Sequence, residues 1–182
     1  MDQGTTSGAR PWLAVGQEIA DLLDRIDPEA FAALVTAFED ENRRWFFSGQ
    51  GRSGLVAQMS AMRFMHLGRP VHFVGEVTAP SVRKGDGLLI ISGSGETPVS
   101  VSYAKIAKAE GAKVVTLTHK PKGSLADIAD VVLPVPVTGT KQFGGSLFEQ
   151  SCLLLLDAVV LVLGSAMPDA HGTMANRHTN LQ

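Results

Sequence analysis

Two short segments combine glycines with hydroxyl side chains in a way that could bind a small anionic ligand. We call residues 48–54 the glycine loop and residues 92–97 the hydroxyl loop. The candidate binding residues of the two loops are Ser48, Gly49, Arg52, Ser53, Ser92, Gly93, Ser94, Gly95, Glu96 and Thr97. Glycines let backbone N–H groups approach an anion closely, and a helix N-terminus adds further unpaired donors. Hydroxyls from both loops would suit a terminal phosphate, so we expect a phosphorylated small molecule.

The glycine loop also admits two other interpretations. Residues 49–54 match G-x-G-x-x-G, and Glu76 lies 22 residues after Gly54, which is the dinucleotide-binding pattern in its expected context. The hydroxyls of the second loop, and a chain too short for a separate substrate domain, weigh against NAD. The hydroxyl loop could also be only a turn followed by a helix cap, although two such loops after neighbouring strands make that less plausible.

Glu149 and His178 are the candidate residues for proton transfer. Glu149 lies in Ser146-Leu-Phe-Glu149, which matches a capping box, and on the pattern alone a helix cap is the more plausible role. A carboxylate in the first turn of a helix would also stay ionised, as a general base must. His178 lies in a polar C-terminal segment, where a solvated surface histidine is the ordinary expectation.

The elements that must position these residues alternate between strands and helices. The predicted strands are 43–48, 71–75, 87–92, 113–118 and 130–135. The predicted helices are 11–26, 28–42, 52–67, 98–110, a short one opened by Ser124, and 146–165. This order predicts an α/β fold, a doubly wound, flavodoxin-like three-layer α/β/α sandwich around a five-stranded parallel sheet. Ligands of such sheets bind beyond the carboxyl ends of the strands, where both loops fall.

Length and composition are typical of one domain. We expect a flexible tail over residues 1–10 and a single domain over residues 11–182. A net charge of −2 without basic blocks argues against a nucleic-acid partner. The apolar stretch 152–163 is short and contains Asp157, so we expect a buried helix and no membrane partner. The N-terminus has no apolar signal-peptide core, and the lone Cys152 favours the cytoplasm.

Two further expectations concern metals and assembly. The five histidines and one cysteine lack the spacing of metal ligands, so we expect no metal. The helix at 147–163 is apolar on more faces than one sheet can cover, which predicts a homo-oligomer. Met59, Met62 and Met65 follow helical spacing and belong to the core or to an interface.

Beyond these patterns, the chain resembles the sugar isomerase (SIS) domain family, and within it the 6-phospho-3-hexuloisomerases. The resemblance begins with S-G-S-G-E-T after a strand and the G-x-G-x-S loop upstream. The more specific runs are G-R-S-G-L-V-A at 51–57, A-M-R-F-M-H-L-G at 61–68, V-G-E-V-T-A-P at 74–80, S-L-F-E-Q at 146–150 and R-H-T-N-L at 177–181. They cover nearly the whole chain beyond the tail. Thr179 and Gln182 depart from the R-H-A-N-L-E ending.

The resemblance implies an isomerase without metal or organic cofactor. Its reaction would interconvert D-arabino-hex-3-ulose 6-phosphate and fructose 6-phosphate through a cis-enediolate, in the ribulose monophosphate pathway that fixes formaldehyde. It implies that Glu149 is the proton acceptor, which reverses the preference for a cap. It also implies that His178 moves protons to ring or carbonyl oxygens, in its own or a neighbouring subunit's site. Glu76 and His66 match family runs without a role we can derive. His66 lies at a helix end, where a cation complements the dipole, and is interpreted as structural.

Two alternatives remain open. One is another SIS isomerase that acts between an aldose and a ketose phosphate and uses the same phosphate loops. The other is a sugar-phosphate sensor that binds without turnover. Sensors of this kind usually carry a DNA-binding partner domain, and the sequence has no basic helix-turn-helix segment.

Overall fold

The computed structural model describes residues 10–181, in which parallel strands alternate with helices. The strands are β1 (Trp45–Gly49), β2 (Val71–Phe73), β3 (Gly87–Ile91), β4 (Lys113–Thr118) and β5 (Val131–Pro134). The helices are α1 (Pro11–Leu23), α2 (Pro28–Ala37), α3 (Arg52–His66), α4 (Pro98–Ala109), α5 (Ser124–Ile128), α6 (Ser146–Ser165) and α7 (Ala170–Arg177). The predicted α/β class is confirmed. The predicted tail falls, except for Arg10, outside the described residues.

The sheet has the order β2-β1-β3-β4-β5, with every neighbouring pair parallel. The chain moves outward from β1 to β2 and then returns to the other side of β1 to form β3. Ser48 pairs with Ile90 and Gly49 with Ile91 at the carboxyl ends of these two strands. The loops that follow β1 and β3 therefore diverge at the point where the strand order reverses, which is the ligand crevice of doubly wound sheets.

Helices cover both faces of the sheet, as the predicted three-layer sandwich requires. Leu89 and Ile91 of β3 belong to the larger core, which includes residues of α2, α3 and α6. Leu88 and Ile90 alternate with them and pack into the smaller core with Ala104 of α4. Successive side chains of a strand point to opposite faces, so this fully apolar strand has both faces covered.

Local chemistry explains both ends of helix α2. The Asp27 carboxylate accepts hydrogen bonds from the backbone N–H groups of Glu29 and Ala30 and so caps the start of α2. This helix ends at Ala37, before the predicted residue 42. The Asp40 side chain accepts from the N–H of Asn42 and stabilises a turn there instead.

Helix α6 spans Ser146–Ser165, the residues that the sequence predicted, and extends beyond the apolar stretch 152–163 at both ends. Within residues 10–181 it is the one helix long and apolar enough to cross a membrane by length and composition. Its packing is that of a core helix, because Cys152, Leu156 and Val159 are at most 1% exposed. The expectation of a buried helix is therefore confirmed for this face.

Candidate active site

The glycine loop is shaped by backbone contacts that exclude side chains. A Cβ atom at Gly49 would lie 2.6 Å from the carbonyl carbon of Ser53, and one at Gly54 would lie 2.7 Å from the carbonyl oxygen of Gly49. Gly51, the N-cap of α3, has φ +57° and ψ −131°, a conformation open mainly to glycine. These three glycines bring the start of α3 directly against the end of β1. Ser48 and Ser53 are both buried beside this contact.

The hydroxyl loop brings three hydroxyl groups together. The Thr97 Oγ1 atom lies 3.3 Å from Ser92 Oγ and 3.5 Å from Ser94 Oγ. The Ser94 hydroxyl also accepts from the N–H of Glu96, and Gly95 turns the backbone with φ +67°. The three hydroxyl groups therefore lie close enough together to contact one ligand, as the predicted binding role requires.

Three helices begin near these loops without a capping side chain. The N-cap positions are Gly51 for α3, Thr97 for α4 and Gly145 for α6, and none makes a side-chain cap hydrogen bond. Thr97 occupies the N-cap position of α4, but its hydroxyl lies against the serine hydroxyls and caps no N–H group. First-turn N–H groups that no side chain satisfies favour an anion electrostatically.

Glu149 lies in the first turn of α6 and contacts the glycine loop. Its Oε2 atom accepts a hydrogen bond from Arg52 Nε at 2.5 Å. The Glu149 side chain is 13% exposed, whereas that of Arg52 is 62% exposed. A Cβ atom at Gly145 would lie 3.2 Å from Glu149 Oε1, so the preceding loop passes close to the carboxylate. The structure thus places one carboxylate beside the start of α3.

The capping-box interpretation of Ser146 and Glu149 is wrong. The N-cap of α6 is Gly145, so Ser146 is already the first helical residue. The Ser146 hydroxyl donates to the carbonyl oxygen of Phe143 at 2.8 Å, and the Glu149 carboxylate bonds to Arg52. A tertiary ion pair has taken the place of the local cap, which leaves Glu149 available for chemistry.

Glu96 has a structural task that the sequence did not indicate. It precedes the N-cap of α4, and its carboxylate accepts from the backbone N–H and the hydroxyl of Ser124 at the start of α5. These hydrogen bonds lower the pKa of Glu96. Glu96 therefore lies outside the first turn of α4 and ties the hydroxyl loop to α5. Helix α5 begins at Ser124, as the sequence predicted.

The structure adds His119 to this region, a residue that the sequence analysis did not single out. It follows β4, and its backbone N–H donates to the carbonyl oxygen of Gly93. Its ring meets the Phe148 ring edge-on, with 6.1 Å between centroids. The signal that could have found it is its position after a strand, the rule that located the two loops.

His178 lies far from Glu149 within the same chain. Its ring stacks on that of His66 with 5.4 Å between centroids, at the C-terminal end of α3. Arg52 and His66 are the two ends of this 15-residue helix, about 21 Å apart at about 1.5 Å per residue. The two predicted catalytic residues are therefore not brought together in one chain.

His66 is buried, and its environment opposes a positive charge. Burial lowers its pKa first, and the nearby charges of His178 and Arg63 lower it further. The neutral ring is favoured, so His66 does not act as a cation at this helix end, whereas its burial fits the structural interpretation. Glu76 lies exposed beyond β2, and its side chain has no role that the structure assigns.

No group of three or more His, Cys, Asp or Glu side chains within residues 10–181 could hold a metal ion. The strand order also differs from that of the dinucleotide-binding fold, in which the order 3-2-1-4-5-6 is usual. Here the G-x-G-x-x-G pattern belongs to a flavodoxin-like sheet, which weakens the NAD interpretation.

Comparison with known proteins identifies the family of this chain. The sequence profile of the SIS domain matches residues 38–159, which include the glycine loop, the hydroxyl loop and Glu149. The chain belongs to the SIS domain family. The match spans all five strands and leaves out α1, α2, the last six residues of α6, and α7.

Relatives at higher identity extend over nearly the whole chain. The 3-hexulose-6-phosphate isomerase of Mycobacterium gastri is 38% identical over 176 residues, which are 92% of this chain and 88% of the relative. A crystal structure from Methanococcus jannaschii, described as inferring the function of 3-hexulose-6-phosphate isomerase, superposes with a TM-score of 0.85 at 31% identity. It covers 96% of this chain and 100% of its own. The chain is an enzyme, a sugar-phosphate isomerase.

A regulator also contains a related segment. An uncharacterized HTH-type transcriptional regulator of Thermotoga maritima is 28% identical over 176 residues. The match covers 93% of this chain but 62% of the regulator, which is a longer protein.

Proposed function

We propose that this sugar-phosphate isomerase interconverts D-arabino-hex-3-ulose 6-phosphate and fructose 6-phosphate. The observation that carries the proposal is the position of Glu149, a carboxylate freed from capping that lies beside the glycine loop. The names of the relatives at 35–40% identity support the choice of a 3-ketohexose phosphate.

The two loops would bind the phosphate. Hydroxyl donors come from Ser48, Ser53, Ser92, Ser94 and Thr97, and the uncapped N-termini of α3 and α4 add backbone N–H groups. β1 and β3 are paired neighbours, so donors from both loops can reach one phosphate from two sides. Glu96 supports this arrangement by fixing the hydroxyl loop to α5 and has no direct contact in our proposal.

Glu149 would move the proton between carbons. From fructose 6-phosphate it removes the proton at C3, which leaves a cis-enediolate across C2 and C3, and it returns the proton to C2. The reverse direction uses the same carboxylate on the same face of the sugar. Negative charge that develops on the enediolate oxygens would be stabilised by Arg52 and by the N–H groups at the start of α6.

A homo-oligomer would complete the site with His178 of a neighbouring copy. His178 lies at the end of α3 opposite Arg52, so it cannot serve its own Glu149 without a large rearrangement. Leu55, Met59 and Met62 are at least 48% exposed and form a stripe along α3. Exposed Leu154 and Leu161 continue this apolar surface on α6, which packs against α3. A second copy on these two helices would bury them.

The pathway and compartment follow from the same proposal. An enzyme with this activity would supply fructose 6-phosphate after formaldehyde has been fixed, as in the ribulose monophosphate pathway. The buried, free thiol of Cys152 is compatible with a reducing cytoplasm.

Proton NMR of fructose 6-phosphate with the protein in deuterated water tests the proposal. Loss of the C3 proton signal together with a new 3-ketohexose phosphate would support it. Exchange at C1 would instead identify an aldose–ketose isomerase and overturn the choice of substrate. Binding of the sugar without exchange or product would favour the sensor, a role that the related segment of the Thermotoga regulator makes worth testing.

A further inference from the structure

The ring of His119 lies between the hydroxyl loop and the first turn of α6. A Cβ atom at Gly93 would lie 3.4 Å from His119 Nδ1 and 3.5 Å from Phe148 Cδ1, so both rings face the Gly93 position. Phe148 directly precedes Glu149 in the chain. The side chain of His119 is nevertheless exposed, so a bound sugar phosphate can reach its free edge.

The proposed reaction requires a second proton movement, which Glu149 does not perform. Fructose 6-phosphate has its carbonyl at C2 and a hydroxyl at C3, and the product has these groups exchanged. While the carbon-bound proton moves from C3 to C2, one proton must also leave O3 and one must arrive at O2. A group that can both donate and accept a proton near these oxygens is needed.

On the basis of the function proposed above, we propose that His119 of the same subunit carries the proton between O3 and O2 of the enediolate. Its ring donates a proton to O2 as the carbonyl becomes an enol, and it takes the proton of O3 as C2 is protonated. Glu149 and His119 both end the cycle as they began, and no oxidant or reductant is consumed.

Three features of the structure fit His119 to this task. The backbone N–H of His119 donates a hydrogen bond to the carbonyl oxygen of Gly93, which also accepts one from the Thr118 hydroxyl at 3.1 Å. These two hydrogen bonds fix the backbone position from which the ring extends. The edge-on contact with Phe148 orients the ring beside the turn that carries Glu149. Partial burial, and then the charge of Lys120, lower the pKa of His119. The ring is therefore neutral near pH 7 and can both give and take a proton.

This assignment separates the roles of the two histidines. His178 is reached only through a neighbouring copy, whereas His119 belongs to the same chain as the loops and as Glu149. His119 would handle the enediolate oxygens, and His178 would remain available for opening the furanose ring of fructose 6-phosphate.

The test compares wild type with His119→Gln in deuterated water, with fructose 6-phosphate as substrate. Glutamine keeps a polar side chain of similar size but cannot relay a proton. At early times, NMR measures two quantities: the amount of fructose 6-phosphate that carries deuterium at C3, and the amount of 3-ketohexose phosphate formed. The ratio of the first to the second is compared between the two proteins. Without the relay, the enediolate returns to substrate more often than it proceeds, so we expect this ratio to rise about tenfold. In ordinary water, kcat should fall about 100-fold with little change in KM.

Controls separate this role from a structural one. His171→Gln, an exposed histidine on α7, should leave kcat and the ratio unchanged, and thermal unfolding checks the fold of both variants. An equal kcat for wild type and His119→Gln overturns the proposal, as does a lower kcat with an unchanged ratio. If wild type forms no 3-ketohexose phosphate, the proposed function fails, whatever His119 does.

Discussion

The Arg52 guanidinium and the Glu149 carboxylate form an ion pair with 2.5 Å between Nε and Oε2. This contact links the start of α3 to the first turn of α6, so a cation holds the proposed base beside the two loops that we propose bind phosphate. Because Arg52 is mostly exposed, the pair contributes only about 0–1 kcal/mol to stability. A substrate phosphate or sugar oxygen can therefore draw Arg52 away and leave the carboxylate free to accept a proton.

We predict that Glu149→Gln lowers kcat by about 10²–10⁴-fold, because the amide cannot accept the carbon-bound proton. Binding of fructose 6-phosphate, measured by calorimetry, should stay within a few-fold of wild type, since the phosphate contacts remain. The matched control is Glu110→Gln, which removes an exposed carboxylate paired with Arg83 at the far end of α4. A near-normal kcat for Glu149→Gln would mean that this residue only positions Arg52.

Ser94→Ala should raise KM for the phosphorylated sugar about tenfold while kcat changes little. The hydroxyl group at Ser94 lies with that of Thr97 in the loop proposed to bind phosphate, and one lost hydrogen bond costs about 1 kcal/mol or more. Steady-state kinetics checks this expectation. Ser165→Ala, which removes a hydroxyl bonded within α6, is the control. A change confined to kcat would place Ser94 at the reacting carbons instead.

Gly49→Ala should destabilise the protein by about 1–3 kcal/mol, because the new methyl group meets backbone atoms that cannot move aside. Gly16→Ala gives the opposite result, since a Cβ there meets nothing within 4 Å and alanine favours the helix by up to about 1 kcal/mol. Urea unfolding of both variants provides the comparison. Equal stabilities would contradict the close packing of β1 on α3.

Glu18 should make the stability of the protein depend on pH. Hydrogen bonds from the Thr140 hydroxyl and the Lys141 N–H lower its pKa below the usual 4.5. The stabilisation is therefore complete above pH 4.5 and is lost as the pH falls through the lowered pKa. Urea midpoints of wild type and Glu18→Gln should differ at pH 7 and converge in acid. Glu39→Gln, an exposed glutamate outside this loop, should show no such convergence.

The apolar stripe on α3 should be an interface between copies. Sedimentation equilibrium of wild type should give a multiple of 19.3 kDa, and Met59→Lys should shift the protein toward 19.3 kDa. Ile106→Lys places the same charge on exposed α4, and the oligomer should persist. A monomeric wild type would exclude both the interface and a role for His178 of a neighbouring copy.

The sequence predicted the sheet and the two loops because their signals are local. Strand β3 is apolar on both faces, and each loop follows a strand directly. The capping box at Ser146 and Glu149 was misleading for the same reason: its pattern is local, whereas the partner of Glu149 is Arg52, 97 residues away. For His119 the sequence offers only its position after β4. Its contacts with Gly93 and Phe148, on which its proposed role depends, are seen only in the structure.

The contact between Gly49 and Gly54 has a consequence for how the enzyme can change. It is made by backbone atoms alone, so its geometry does not depend on the side chains around it. Residues near Glu149 and His119 can be exchanged for others that suit a different sugar while the proposed phosphate site keeps its shape. Attempts to redirect this scaffold to new substrates should therefore leave the glycines fixed and vary the loops that follow β4 and β5.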